Sequence, residues 1–179
     1  LRVWPPPLTV NFVHRVEVSL TVAPRVRRVL AERRMEACMS FVSDSDWRKW
    51  GRIDPYFGVV SFDEFKADRI ADNRARFFDT GRREIEIALN DIAARYGDVA
   101  RRRALDFGSG VGRLALPLAE RYDEVVGVDI SDAMIAEARD NCCDAGVRNA
   151  HFVLSDDELT RVSGSFDLVH SYIVLQHIP

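Results

Sequence analysis

The residues with the most chemical potential sit at 104–129. Ala104-Leu105-Asp106-Phe107 is a short apolar run, followed by Gly108-Ser109-Gly110-Val111-Gly112 and then by a second apolar stretch from Leu114 to Ala119. That order predicts a strand, a glycine loop and a helix. Glycines at such a junction let the backbone turn sharply and let a ligand lie against bare main chain, with the first helical N–H groups available to an anionic group. Glu124-Val125-Val126-Gly127-Val128-Asp129 reads as a second strand ending in a carboxylate, 17 residues after Gly112. The spacing completes a β-α-β unit in which Asp129 lies beside the loop and can accept hydrogen bonds from both hydroxyls of a ribose. A glycine run alone also serves as a tight turn with no ligand. Ser131 is explained without a ligand, as the N-cap of a helix from Asp132 to Asn141.

The glycine spacing separates two ligand classes. A dinucleotide site expects its third glycine three positions after the second. Here it comes two positions after, Arg113 occupies the expected place, and Asp106 precedes the loop by two residues. A carboxylate there is a poor neighbour for a pyrophosphate. A ligand with a ribose, an amino-acid head and a cationic centre is instead favoured by acidic groups around the loop.

Leu105-Asp-Phe-Gly-Ser-Gly-Val-Gly-Arg-Leu114 and Val126-Gly-Val-Asp-Ile-Ser131 resemble the first two motifs of class I S-adenosylmethionine-dependent methyltransferases. His151-Phe-Val-Leu154 with Ser155-Asp156 resembles the third strand of that family, and Phe166-Asp-Leu-Val-His-Ser171 with Val174-Leu-Gln-His-Ile178 resembles the fourth strand and the segment after it. Trp47 to Val60 is similar to the N-terminal extension of some bacterial members. The resemblance implies an α/β fold: a Rossmann-like three-layer α-β-α with a parallel sheet, incomplete, preceded by N-terminal helices. It implies S-adenosyl-L-methionine as cofactor. Gly108, Ser109, Gly110 and Gly112 would line its methionine part, Asp106 would support the loop and the ammonium, Asp129 would hold the ribose and Ile130 would flank the adenine. Asp156 would meet the adenine amine, with Asp157 and Glu158 able to exchange roles with it. The family's sheet has seven strands, and Pro179 comes just after the fourth, in an expected order 3-2-1-4. The expectation is a fragment of a longer reading frame, its fourth strand left with an unpaired edge and much of its acceptor pocket missing.

Methyl transfer from a sulfonium is an in-line displacement, so the protein mainly aligns the acceptor and excludes water. A hydroxyl acceptor needs a general base, and His177, just beyond the fourth strand, is the candidate. His170 alternates with apolar strand residues and reads as structural. The function expected is S-adenosylmethionine-dependent methyl transfer to a small-molecule acceptor. The alternatives are a cofactor-binding fragment without activity and, more distantly, an NAD-dependent oxidoreductase.

These residues need elements to hold them. Ile85, Leu89, Ile92, Ala93 and Tyr96 recur at helical spacing, with Gly97 as C-terminal cap. An earlier helix is expected over Phe62 to Phe78, with a break at Thr80-Gly81. Pro117 is expected to kink the helix after the glycine loop. Trp47, Trp50, Tyr56 and Phe57 surround the turn-forming Asp54-Pro55 pair and read as packing residues, or alternatively as a lid. Residues 1 to 38 hold seven Arg against three Glu, while the remainder holds 18 basic and 25 acidic groups. With Pro5, Pro6, Pro7 and Pro24 and only a loose alternation (Val10, Phe12, Val16, Val18), this segment predicts little independent structure. The expected organisation is therefore a poorly ordered leader or mis-annotated extension over 1–38, a helical extension over 39–98 and a partial cofactor-binding domain over 99–179.

The net charge of -3 gives no reason to gather nucleic acid or anionic lipid. Arg101-Arg102-Arg103 reads as a solvated approach to the first strand. Every apolar run is interrupted well short of the ~18 residues a membrane span needs. Cys38, Cys142 and Cys143 make neither a disulfide framework nor a zinc site, which fits a reducing cytoplasm. The expected partners are a small-molecule acceptor, with no nucleic acid and no membrane.

Overall fold

The computed structural model describes residues 9–12, 16–17, 44–156 and 158–177. Four parallel strands form its centre: β3 (Arg103–Phe107), β4 (Glu124–Asp129), β5 (Ala150–Leu154) and β7 (Leu168–Tyr172). With β1 (Thr9–Phe12) they make one sheet of order β1-β7-β3-β4-β5. The expected order 3-2-1-4 is thus present. Strand β1 runs antiparallel along β7, with Val10 opposite Ser171 and Phe12 opposite Val169. This corrects the expectation of an unpaired fourth-strand edge: main-chain pairing from the N-terminal segment covers it. Short β2 (Val16–Glu17) pairs with β6 (Ser165–Phe166) in the same sense. The rest of 1–38 lies outside the described residues.

The helices are α1 (Asp44–Ile53), α2 (Pro55–Val59), α3 (Ile70–Tyr96), α4 (Ala115–Ala119) and α5 (Asp132–Asp144). Both crossovers, β3-α4-β4 and β4-α5-β5, step in the same direction across the sheet, and right-handed connections place α4 and α5 on one face. There Ala104, Val125 and Leu168 pack with Ile85, Leu89 and Ile92 of α3, Leu118 of α4, and Ile135, Ala138 and Cys142 of α5. The return from β5 to β7 crosses the opposite face, where Val162 and Phe166 cover Leu105, Val126 and Val128.

Two expected helix breaks resolve differently. Helix α3 runs unbroken through Thr80-Gly81, because Gly81 faces the Arg113 backbone and a Cβ there would collide with the Arg113 carbonyl. Pro117 does not kink a long helix, since α4 is short and Pro117 falls in its first turn, where a missing N–H leaves no intrahelical bond unmade. Its would-be partner is the Arg113 carbonyl that Gly81 accommodates.

The aromatic group divides. Tyr56 is buried with Phe65, Phe77, Val111 and Met134, edge-on to Phe77 at 5.0 Å between ring centres. Trp50 tilts against Phe57 and remains partly exposed. The packing expectation holds for Tyr56. Among the described residues no helix is long and apolar enough to cross a membrane.

Candidate functional site

The glycine loop leaves β3 and folds onto the tip of β4. Gly108, Gly110 and Gly112 all have left-handed backbones, with φ of 77°, 52° and 83°. The Gly108 and Ser109 N–H groups both donate to the Val128 carbonyl, at 2.8 and 2.9 Å, and Gly112 N–H donates to the Ser109 carbonyl at 2.9 Å. Gly110 N–H donates to Asp129 Oδ2 at 2.9 Å, while Asp129 Oδ1 accepts from Ser131 N–H at 2.9 Å. Asp129 therefore points at the loop, as the β-α-β reading requires. Burial raises its pKa above the ordinary carboxylate value; the backbone donors oppose that, and the neighbouring Asp106 charge adds to it.

The loop glycines also satisfy local packing. A Cβ on Gly108 would strike the Val174 side chain, and one on Gly110 would strike Val59. Val174 follows Ile173, whose φ of 59° is rare for a β-branched residue. Ser131 caps α5 as expected, its Oγ accepting from Met134 N–H at 3.4 Å.

Beneath the loop lies a buried polar layer. Asp106 and His170 are register partners on β3 and β7 and are 1% and 0% exposed. His170 Nδ1 lies 3.5 Å from Asp106 Oδ1. Ser109 is turned inward against Gly127, so its side chain does not line the open crevice. Arg113, 4% exposed, donates to Thr80 Oγ1 at 3.2 Å and places its guanidinium 5.3 Å from the Tyr172 ring centre. Among the described residues Asp106 Oδ2, Ser109 Oγ, Arg113 Nε and His170 Nε2 have no hydrogen-bond partner.

A cavity of about 400 Å³ opens where β4 and β5 end, lined by Ile130, Asp132, Leu154, Ser155 and Asp156 together with Arg48, Arg52 and Arg161. Ile130 and Asp156 thus both line this cavity. The Asp156 carboxylate is engaged locally, accepting from Thr160 N–H at 2.9 Å and from Thr160 Oγ1 at 2.5 Å. Asp157 lies outside the described residues, and Glu158 is exposed. Helix α1 roofs this end: Arg48 Nε donates to the Ile130 carbonyl at 3.2 Å, and Arg52 meets Asp132 at 3.5 Å.

His177 stands in the turn after β7, half-buried, its ring edge-on to Trp47 at 5.1 Å. Desolvation lowers its pKa, which keeps the imidazole neutral to lower pH. Sequence reasoning missed the converging arginines and the Val59 and Val174 contacts. The i, i+4 spacing of Arg48 and Arg52 was the only local signal, and it names a helix face without naming what that face covers.

The arrangement favours a particular ligand chemistry. Four loop N–H groups are already donated within the protein, and α4 begins only at Ala115, so few donors remain for a pyrophosphate. Two carboxylates, Asp106 and Asp129, flank the loop instead. Such a site suits a ligand that carries hydroxyl donors and positive charge.

Residues 104–179 match a family described as a methyltransferase domain. A 23S rRNA (uracil(1939)-C(5))-methyltransferase of Xylella fastidiosa is 40% identical over 74 residues, covering 41% of this chain and 15% of that protein. A ubiquinone biosynthesis O-methyltransferase of Acinetobacter baumannii is 32% identical over 95 residues, covering 52% of this chain and 40% of that protein. Among solved structures, a putative S-adenosyl-L-methionine-dependent methyltransferase of Methanococcus maripaludis aligns with a TM-score of 0.40 at 20% identity, over 68% of this chain and 46% of that one. The chain spans less than half the length of each of these relatives.

Proposed function

We propose, from the match of residues 104–179 to a methyltransferase-domain family, that this chain binds S-adenosyl-L-methionine and serves methyl transfer to a small-molecule acceptor. The observation that carries the reading is the Asp129 carboxylate, bonded to Gly110 N–H at 2.9 Å beside a loop in which the N–H groups of Gly108, Ser109, Gly110 and Gly112 are already donated within the protein. A ribose needs acceptors and a sulfonium needs negative potential, and both are supplied. In this reading Asp129 takes the ribose hydroxyls, the backbone of Gly108, Ser109, Gly110 and Gly112 forms the wall beside the methionine part, and Asp106 supports the loop and the ammonium. Ile130 and Asp156 flank the adenine in the cavity between β4 and β5.

Bound cofactor would bring an activated methyl group with a good leaving group; the chain's own residues position, shield and handle protons. Helix α1 and the turn carrying His177, which meet where Trp47 packs edge-on against the His177 ring, would exclude water from the crevice. For a hydroxyl acceptor, His177 is the proposed proton acceptor, and its lowered pKa keeps it neutral and competent.

One of the relatives is named for an RNA acceptor and the other for ubiquinone biosynthesis, so exclusion of nucleic acid gains no support from them. Titration calorimetry with S-adenosylmethionine and with NAD tests the cofactor. Saturable binding of the sulfonium compound, weakened at least roughly tenfold by Asp129→Ala, is expected; NAD binding alone would overturn the assignment. Transfer of labelled methyl to bulk RNA, with none to a panel of small hydroxyl and amine acceptors, would overturn the acceptor class.

A further inference from the structure

His170 has no part in the chemistry proposed above, yet it is fully buried opposite Asp106 in the register of β3 and β7. Sheet geometry holds two directly paired residues on one face with their side chains adjacent. A buried carboxylate is costly unless donors satisfy it. Asp106 has His170 Nδ1 near Oδ1, at 3.5 Å, and no partner for Oδ2 among the described residues. Other charged and titratable groups act on this layer from three sides. Arg113 feels Asp106 but donates to Thr80 and lies against Tyr172, Glu84 of α3 acts on Arg113, and Asp129 feels Asp106 across the loop. Asp106 therefore has one carboxyl oxygen near a ring nitrogen and one buried oxygen with no partner among the described residues, two positions before Gly108 in the chain.

We infer that His170 is a positioning residue: its Nδ1–H holds Asp106 Oδ1, so that Oδ2 is presented to the ammonium of the cofactor's amino-acid end. This rests on the cofactor reading above. The long 3.5 Å contact is one that shortens when a cation draws the carboxylate into place. His170 then sets how strongly the site distinguishes ligands that bear the amino-acid head from those that lack it. No contact between His170 and ligand is required.

The test compares S-adenosylmethionine with 5′-methylthioadenosine, which keeps the nucleoside and sulfur but lacks the amino-acid head. Calorimetric titration of His170→Leu is expected to show at least roughly tenfold weaker S-adenosylmethionine binding, with methylthioadenosine changed less than about twofold. His170→Asn, which retains an N–H donor, restores most of the loss. Equal weakening of both ligands, or no weakening of either, overturns the inference and leaves His170 as packing. Should His170→Leu fail to melt cooperatively, His170→Phe, which also lacks a donor, reads the same selectivity, and adding it to Asp106→Asn produces no further selective loss; an additive loss overturns the inference. Failure of the wild-type protein to bind either ligand overturns the cofactor reading itself, and the inference with it.

Discussion

Gly81 lies inside α3, where alanine is ordinarily better than glycine by about 1 kcal/mol. Here the sign reverses, because a Cβ would enter the space of the Arg113 carbonyl and side chain, and backbone cannot retreat as a flexible side chain can. Gly81→Ala is expected to destabilise by about 1–3 kcal/mol, read as a lower urea midpoint at unchanged slope. A higher midpoint would show that the α3–α4 approach has room for a methyl group. The neighbouring cysteines make a second contrast at this scale. Cys142 is 4% exposed and burial pushes its thiol up to about 11, whereas Cys143 is exposed. The thiolate is the nucleophile, so iodoacetamide at pH 8 is expected to modify Cys143 well before Cys142, as read by peptide mass mapping. Equal rates would contradict the placement of α5.

Elements are fastened by polar contacts as well as by apolar ones. Tyr56 of α2 donates its single hydroxyl proton into a pair of acceptors on α5, with Glu137 Oε1 at 2.6 Å and Asn141 Oδ1 at 2.9 Å. Asn141 in turn takes Arg74 of α3 and donates to the Val111 carbonyl at 2.9 Å. Burial first, and the Glu137 hydrogen bond second, push the Tyr56 phenol from 10.0 up to about 12. An acid whose folded pKa is raised contributes stability that is complete below its unfolded pKa and is lost as pH rises through the folded one. The contribution of Tyr56 is therefore present below pH 10 and disappears between about 10 and 12. Urea titrations are expected to show Tyr56→Phe less stable than wild type at pH 8 by about 1–2 kcal/mol, with the gap closing as pH climbs through that window. A gap that stays constant would mean that ionisation of Tyr56 does not contribute. Elements of this kind were unequally legible in the sequence. β4 ending at Asp129, the glycine loop and the Ser131 cap all rest on local patterns, and each is where the pattern puts it. The break expected at Thr80-Gly81 was read from local propensity, and what decided otherwise was Arg113, a residue remote in the chain. The same holds for β1, whose pairing needs β7, and for Asp156, whose carboxylate is drawn to Thr160 by a short-range bond that competes with any ligand. The convergence of Arg48, Arg52 and Arg161 likewise depends on how three separate segments meet.

At the scale of the molecule, the helices before residue 98 and the sheet after it share their apolar interior. Ile85, Leu89 and Ile92 of α3 lie in one cluster with Ala104, Val125 and Leu168, and Tyr56, Phe65 and Phe77 enclose Val111 and Met134. Taking α3 away exposes that face of the sheet. Three buried aliphatic side chains are worth about 1.5–3 kcal/mol each, a sum comparable with the roughly 5–15 kcal/mol that holds a domain folded. The Arg113 guanidinium would lose Thr80 as well, leaving a buried cation with fewer partners. A chain restricted to 99–179, which retains the glycine loop, Asp129 and the β4–β5 cavity wall, is therefore expected to show no cooperative thermal transition by circular dichroism and no saturable S-adenosylmethionine binding. Supplying residues 44–98 on the same chain restores both. A cooperative melt with intact binding from 99–179 alone would mean that the glycine loop and its carboxylates are held by the sheet itself, with the helices contributing cover but not support.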